Sequence, residues 1–163
     1  ARKLDQPAAE LEHSIIHLLH RSCQVAEEHF ARMTSEVTAR QFVVLEAVAQ
    51  HPGASQTLLG HVTGVDRSTL ADIVRRLTKR GLLQRRRTRA DARAYDVRLT
   101  EGGAAMLERL RAGVTGAEHL LLSSLSKSER EMILALLHRI TEAATARNPD
   151  QQPQALLGLT ARS

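Results

Sequence analysis

Apolar residues recur every three to four positions through the first part of the chain, as Leu11, Ile15, Leu18 with Leu19, Ala26, Phe30 and Met33, with Ser22 on the same face. Kept over about six turns, that period predicts a long amphipathic helix from about Glu10 to Met33. A second helix is predicted from a Thr38 N-cap through ARQFVVLEAVAQ to HPG, where Pro52 and Gly53 stop it. Ser55 is placed to cap a short third helix in QTLLGHV, and Gly64 in the following TGV can take the left-handed turn conformation. Asp66 then caps RSTLADIVRRLTKR, which Gly81 ends. The segments LLQRRRT and AYDVRLT flank RADAR and read as two strands of a hairpin with a basic tip. Thr100 opens a long helix to about Leu122. SKSE, Ser126 to Glu129, is a capping box for a last helix with Ile133, Leu136, Leu137, Ile140 and Ala144 on one side.

The expected class is therefore mainly α: a winged helix–turn–helix lobe over 38–100, with a small antiparallel β-hairpin wing, between long terminal helices at 10–33 and 101–146. Residues 147–163, rich in proline and glutamine, are expected to be a loose tail. Aromatic residues are only 2% of the 163, so the core must come from aliphatic side chains, and the 42% hydrophobic share is ordinary for a globular chain. No apolar run approaches the roughly 18 residues of a membrane span, and ARKLDQPAAE lacks a signal-peptide core, so a cytoplasmic location is expected. A lone Cys23 forms no internal disulfide.

The net charge is +5, and its placement is more telling. Between Asp66 and Arg98 there are eleven basic and four acidic side chains, a local +7, while the rest of the chain carries −2. Five of those arginines lie within RRRTRADAR, residues 85–93. A concentrated basic patch on a slightly acidic body is the footprint of a phosphate-backbone binder. In the predicted helix after Asp66, Leu70, Ile73, Val74 and Leu77 share one face, and Ser68, Asp72, Arg75 and Lys79 lie opposite, flanked by Thr69 and Arg76. Short hydroxyls at the N-terminal end and long cations toward the C-terminal end suit entry into a major groove. Asp72 repels phosphate. It either accepts from a cytosine amine or holds Arg75 or Arg76 in place, and the second is favoured.

VDRSTLADIVRRLTKRGLLQRRRTRADARAYDVRLTEGG resembles the recognition helix and wing of the MarR family of dimeric bacterial transcription regulators. The matching elements are Val65 to Leu70, Leu77 to Leu82, Asp91 with Arg93, and Leu99 to Gly103; a weaker likeness extends over about 10–146. The resemblance implies that Arg93 enters the minor groove at the wing tip and that Asp91 orients it. Preorganising a guanidinium reduces the entropy lost on insertion, and a narrow A·T-rich groove attracts it by shape. The expected DNA surface is Ser55, Gln56, Thr57, Arg67, Ser68, Thr69, Asp72, Arg75, Arg76, Lys79, Arg87, Arg89, Asp91 and Arg93.

The first and last helices cannot bury their apolar stripes against one small lobe, so they are expected to pair in a homodimer on a pseudo-palindromic double-stranded DNA site. The resemblance further implies a small-molecule effector between these helices and the lobe. Ser22, Cys23, Ala26, His29 and Arg40 are the candidates, on a mostly aliphatic wall that suits an aromatic acid or an acyl thioester, and release of a repressor is the family's default. His13, His17 and His20, at i, i+4 and i+7, could chelate zinc; they face away from the apolar stripe and are read as solvated, with no metal or cofactor. Cys23 could be a redox switch, but tyrosines expected around one are absent apart from Tyr95 in the wing, and Cys23 is read as a buried packing residue. No G-x-S-x-G, H-E-x-x-H or Gly-rich phosphate loop is present, and no enzyme is expected. The different-class alternative is a non-specific architectural nucleic-acid binder.

Overall fold

In the computed structural model, which describes residues 13–87 and 95–146, most helices begin where a short polar side chain closes the first turn. Helix α1 (Ile15–Met33) starts at Ser14, whose hydroxyl accepts from the His17 N–H at 3.3 Å. That start lies five residues beyond the expected Glu10, and His13 precedes the cap. Residues 10–12 lie outside those described. Helix α2 (Ala39–Gln50) is opened by a reciprocal pair: Gln41 N–H donates to Thr38 Oγ1 and Thr38 N–H donates to Gln41 Oε1, both at 3.2 Å. Helix α3 (Gln56–Thr63) is capped by Ser55, and Gly64 ends it in the left-handed region at φ 67°. Asp66 caps α4 (Arg67–Lys79).

Strands β1 (Leu83–Arg87) and β2 (Tyr95–Leu99) pair antiparallel, from Leu83↔Leu99 at the base to Arg87↔Tyr95. Ala54 adds a bridge to the outer side of β2, with Val97 N–H donating to Ala54 O at 3.0 Å. Thr100 caps α5 (Glu101–Leu121), and Ser126 with Glu129 forms the expected box at the start of α6 (Lys127–Ala146).

The core lies where α2, α3, α4, the hairpin and the first half of α5 converge. Val44, Leu45, Val48, Leu59, Leu70, Val74, Leu77, Leu83, Val97 and Leu107 are almost completely buried there. Such aliphatic side chains contribute about 1.5–3 kcal/mol each by leaving water. Helix α1 joins through Phe30, whose ring lies 5.6 Å from that of Phe42. At the hairpin base α5 passes so close to the chain that a Cβ on Gly103 would lie 2.0 Å from the Leu82 carbonyl oxygen. Only glycine fits that crossing.

Burial in α5 stops at Leu110. In α6 every residue over 131–143 is exposed, including Ile133, Leu136, Leu137 and Ile140, and in α1 Ile15, Ile16, Leu18 and Leu19 are exposed as well. Among the described residues two apolar helix faces are left unburied, at the ends removed from the core. Among the described residues no helix is long and apolar enough to cross a membrane.

Candidate nucleic-acid interface

Helix α4 divides cleanly between core and surface. Leu70, Ile73, Val74 and Leu77 are buried, while Arg67, Ser68, Arg75, Arg76 and Lys79 are exposed and Thr69 and Asp72 are half-buried. The helix–turn–helix places α3 before it, and Ser55 and Thr57 are exposed at the start of α3 with Gln56 half-buried.

The N-terminus of α4 is already occupied by its own carboxylate. Asp66 Oδ1 accepts from the Ser68 N–H at 3.1 Å, the Ser68 hydroxyl at 2.6 Å and the Thr69 N–H at 3.0 Å. Bonds from Ser68 and then Thr69 stabilise the ionised form and hold the Asp66 carboxyl well below the usual carboxylate range. The short hydroxyls expected at this end of the helix are therefore tied to its cap. These N–H groups and the Ser68 proton are spent inside the cap, leaving Ser68 as an acceptor toward anything outside.

Along the outer face Asp72 serves two arginines. Oδ1 accepts from Arg75 Nη2, and Oδ2 lies 2.6 Å from Arg76 Nε. Arg75, followed by Arg76, lowers the Asp72 pKa. The favoured sequence reading named one arginine or the other; the structure gives both. Each guanidinium is held through one nitrogen and stays about two-thirds exposed, which leaves its other donors open to a partner.

The wing continues this basic surface. Arg85 and Arg86 are exposed on β1, and Arg87 is its last residue. Sequence reasoning missed the clasp at the wing base, where Arg98 Nε and Nη2 donate to Asp96 Oδ2 at 3.2 and 3.0 Å. Its signal was available, because residues two apart on a strand share a face. Arg89, Asp91 and Arg93 lie outside the described residues.

The effector candidates are less closely gathered. Ser22 is exposed and donates to the Leu18 carbonyl at 2.8 Å; Ala26 and His29 are half-buried; Arg40 is exposed, its Nε 3.8 Å from Glu27 Oε1. Cys23 is exposed, which corrects the packing role expected for it. No part of the described chain covers the first half of α1, so periodicity there marks a face without burying it. The histidine trio is also corrected: His13 sits before the Ser14 cap, and of the three only His17 and His20 lie on α1. Among the described residues no cluster of three or more His, Cys, Asp or Glu side chains could hold a metal ion.

Comparison with known proteins converges on one family. A family model described as the MarR family matches residues 35–94, the lobe and most of the wing. The transcriptional repressor NicR of Pseudomonas putida is 33% identical over 142 residues, 86% of this chain and 90% of that protein. Among solved structures, the PcaV transcriptional regulator of Streptomyces coelicolor, in complex with its natural ligand, has a TM-score of 0.77 at 33% identity, covering 82% of this chain and 96% of that one. BpsR of Bordetella bronchiseptica, whose DNA binding is regulated by 6-hydroxynicotinic acid, has a TM-score of 0.76 at 30% identity, covering 79% and 94%. A shared winged helix–turn–helix architecture and one identical residue in three over most of the length carry the conclusion: the chain belongs to the MarR family of transcriptional regulators, DNA-binding proteins rather than enzymes.

Proposed function

We propose that the protein is a sequence-specific repressor that binds a pseudo-palindromic duplex as a homodimer and is released by a small aromatic acid or an acyl thioester. The observation that carries the DNA reading is α4: an inner face locked into the core, and an outer face on which Asp72 holds Arg75 and Arg76 with Lys79 one turn further on. Arginines held this way approach guanine O6 and N7 with less rotamer entropy to lose, while Arg67 and the wing arginines neutralise phosphates. Ser55, Gln56, Thr57, Ser68 and Thr69 complete the groove-facing surface, Ser68 as an acceptor. Arg93, oriented by Asp91, reads minor-groove width, and Arg87 and Arg89 meet the backbone beside it.

The two exposed apolar faces, on α1 and α6, are the dimer contact. A second copy brings a helix over Ser22, Cys23, Ala26, His29 and Arg40 and turns an open wall into a pocket. Support for an aromatic acid comes from BpsR, regulated by 6-hydroxynicotinic acid, and support for repression from NicR. An effector preferring a head spacing other than the DNA-bound one releases DNA by population shift.

Duplexes selected from a random library, then competed with bulk DNA at several salt concentrations, test the reading. Specific binding survives competitor, and the double variant Arg75→Ala/Arg93→Ala abolishes it in a folded sample. Promoter occupancy unchanged in that variant would overturn the proposal. A panel of aromatic acids and acyl thioesters, scored for loss of duplex binding, tests the effector class.

A further inference from the structure

Helix α5 belongs to two parts of the molecule: its first half is core, and beyond Leu110 it runs out of the lobe. At that exit the side chains change character within five residues. Arg109 Nη2 lies 3.5 Å from Glu36 Oε1 in the α1–α2 connection. Arg111 grips Glu46 of α2 with the side-on edge of its guanidinium, Nε to Oε1 at 2.7 Å and Nη2 to Oε2 at 2.9 Å, and gives its remaining nitrogen to Glu108. Gly113 then meets α1 so closely that a Cβ there would lie 2.4 Å from Met33 Sδ. Three ties to three places circle the point where the reading head leaves the helix that carries it.

We propose that the Glu46–Arg111 fork is a positioning pair that sets the angle of the head on α5, and so the spacing of half-sites the dimer accepts. The inference rests on the DNA-binding dimer proposed above. Partly exposed ion pairs contribute little to stability, and both side chains here retain access to water, at 43% for Arg111 and 21% for Glu46. A two-pronged Arg–carboxylate contact nevertheless fixes direction, since both hydrogen bonds survive in only a narrow range of angles. The consequence is large because the lever is long. A lobe of this size is roughly 27 Å across, so a tilt of about 7° at the exit moves its far edge by about 3.4 Å, one base-pair step. Leu107 and Leu110 seat the first half of α5 in the core, and at its exit the other two ties direct the helix less closely than the fork does. The Arg109–Glu36 contact is longer and single-pronged, and Met33 is a flexible side chain that can yield at Gly113.

The test uses the full chain and a random-sequence duplex library. Duplexes selected by the wild type are rebuilt with one base pair added or removed between half-sites, and binding is measured for wild type, Glu46→Gln and Arg111→Lys. Each substitution keeps length and hydrogen-bonding ability but ends the charged fork. The wild type is expected to discriminate against the altered spacings by about tenfold or more, and both variants by less than about threefold, with the same bases preferred within each half-site and unchanged helical content. A merely structural role predicts loss of all binding in proportion to lost stability, with spacing preference retained. Retained preference in both folded variants overturns the proposal alone. A wild type that selects no sequence overturns the DNA reading and this proposal with it.

Discussion

One carboxylate, that of Asp72, is shared between Arg75 and Arg76, an oxygen to each guanidinium, on the exposed face of α4. It lowers the positive charge of the surface and lowers its freedom together. These effects act in opposite directions on DNA. Removing the charge favours any duplex, while freeing the arginines weakens discrimination between duplexes.

Asp72→Asn is therefore expected to bind bulk DNA more tightly, with a salt dependence steeper by up to about 0.9 in the logarithmic slope. Preference for the selected duplex over bulk DNA should fall by roughly tenfold. Titrations of both duplexes at four salt concentrations give both quantities. An unchanged preference would show that Asp72 does not prepare the arginines.

Gly103 supplies a test whose sign is unusual. An ordinary helical Gly→Ala change gains about 1 kcal/mol of helix propensity. Here the new methyl would lie 2.0 Å from the Leu82 oxygen and 2.9 Å from its carbonyl carbon, in a buried crossing. Overpacking of that kind costs about 1–3 kcal/mol, and backbone has little room to retreat, so Gly103→Ala is expected to lower the melting temperature. Calorimetry decides, and a rise in melting temperature contradicts the crossing.

The caps explain why so much of the fold was legible. Thr38, Ser55, Asp66, Thr100 and Ser126 each stand immediately before an apolar period, and each closes the first turn it was expected to close. Such signals act within four residues and need no knowledge of the rest of the chain. What escaped is non-local. Glu46 and Arg111 are 65 positions apart, and nothing in either neighbourhood marks the other. Cys23 escaped for a different reason. Its helix has an apolar face as expected, but burial of that face is not decided within one chain. Ser14 was a readable cap overlooked because the apolar period runs on through Leu11.

Acid should unfold the protein along a predictable path. Glu46, Asp66, Asp72 and Glu129 all titrate below their ordinary values in the folded chain, through bonds from Arg111, Ser68, Arg75 and Ser126 respectively. A carboxyl depressed by folding adds stability at pH above its unfolded value and loses that contribution as pH falls through the folded one. The melting temperature should thus be nearly flat from pH 7 to about 5 and fall below about pH 4. Asp66→Asn keeps a capping acceptor but removes the titration, so its melting temperature should fall less between pH 7 and pH 3. High salt should leave most of the difference in place, because Asp66 is held by short-range hydrogen bonds and not by a charged partner. Identical falls in the two proteins at low salt would remove Asp66 from this account.

The exposed face of α6 gives the most consequential prediction. Leu137 and Ile140 are 38% and 53% exposed, so pairing can still hide about half of each surface. Half of the usual 1.5–3 kcal/mol per side chain, counted for two residues in each of two copies, comes to at least about 3 kcal/mol. The variant Leu137→Glu/Ile140→Glu is accordingly expected to raise the dimer dissociation constant by about 100-fold or more, as measured by sedimentation. Because the lobe core lies elsewhere, the helical spectrum should be retained and the head should still hold DNA weakly. Duplex binding should be lost at nanomolar protein and return at micromolar, since a monomer offers one head where the site needs two. A variant that remains dimeric at nanomolar concentration would place the contact elsewhere, while a monomer that binds the full duplex as tightly as the wild type would separate pairing from recognition.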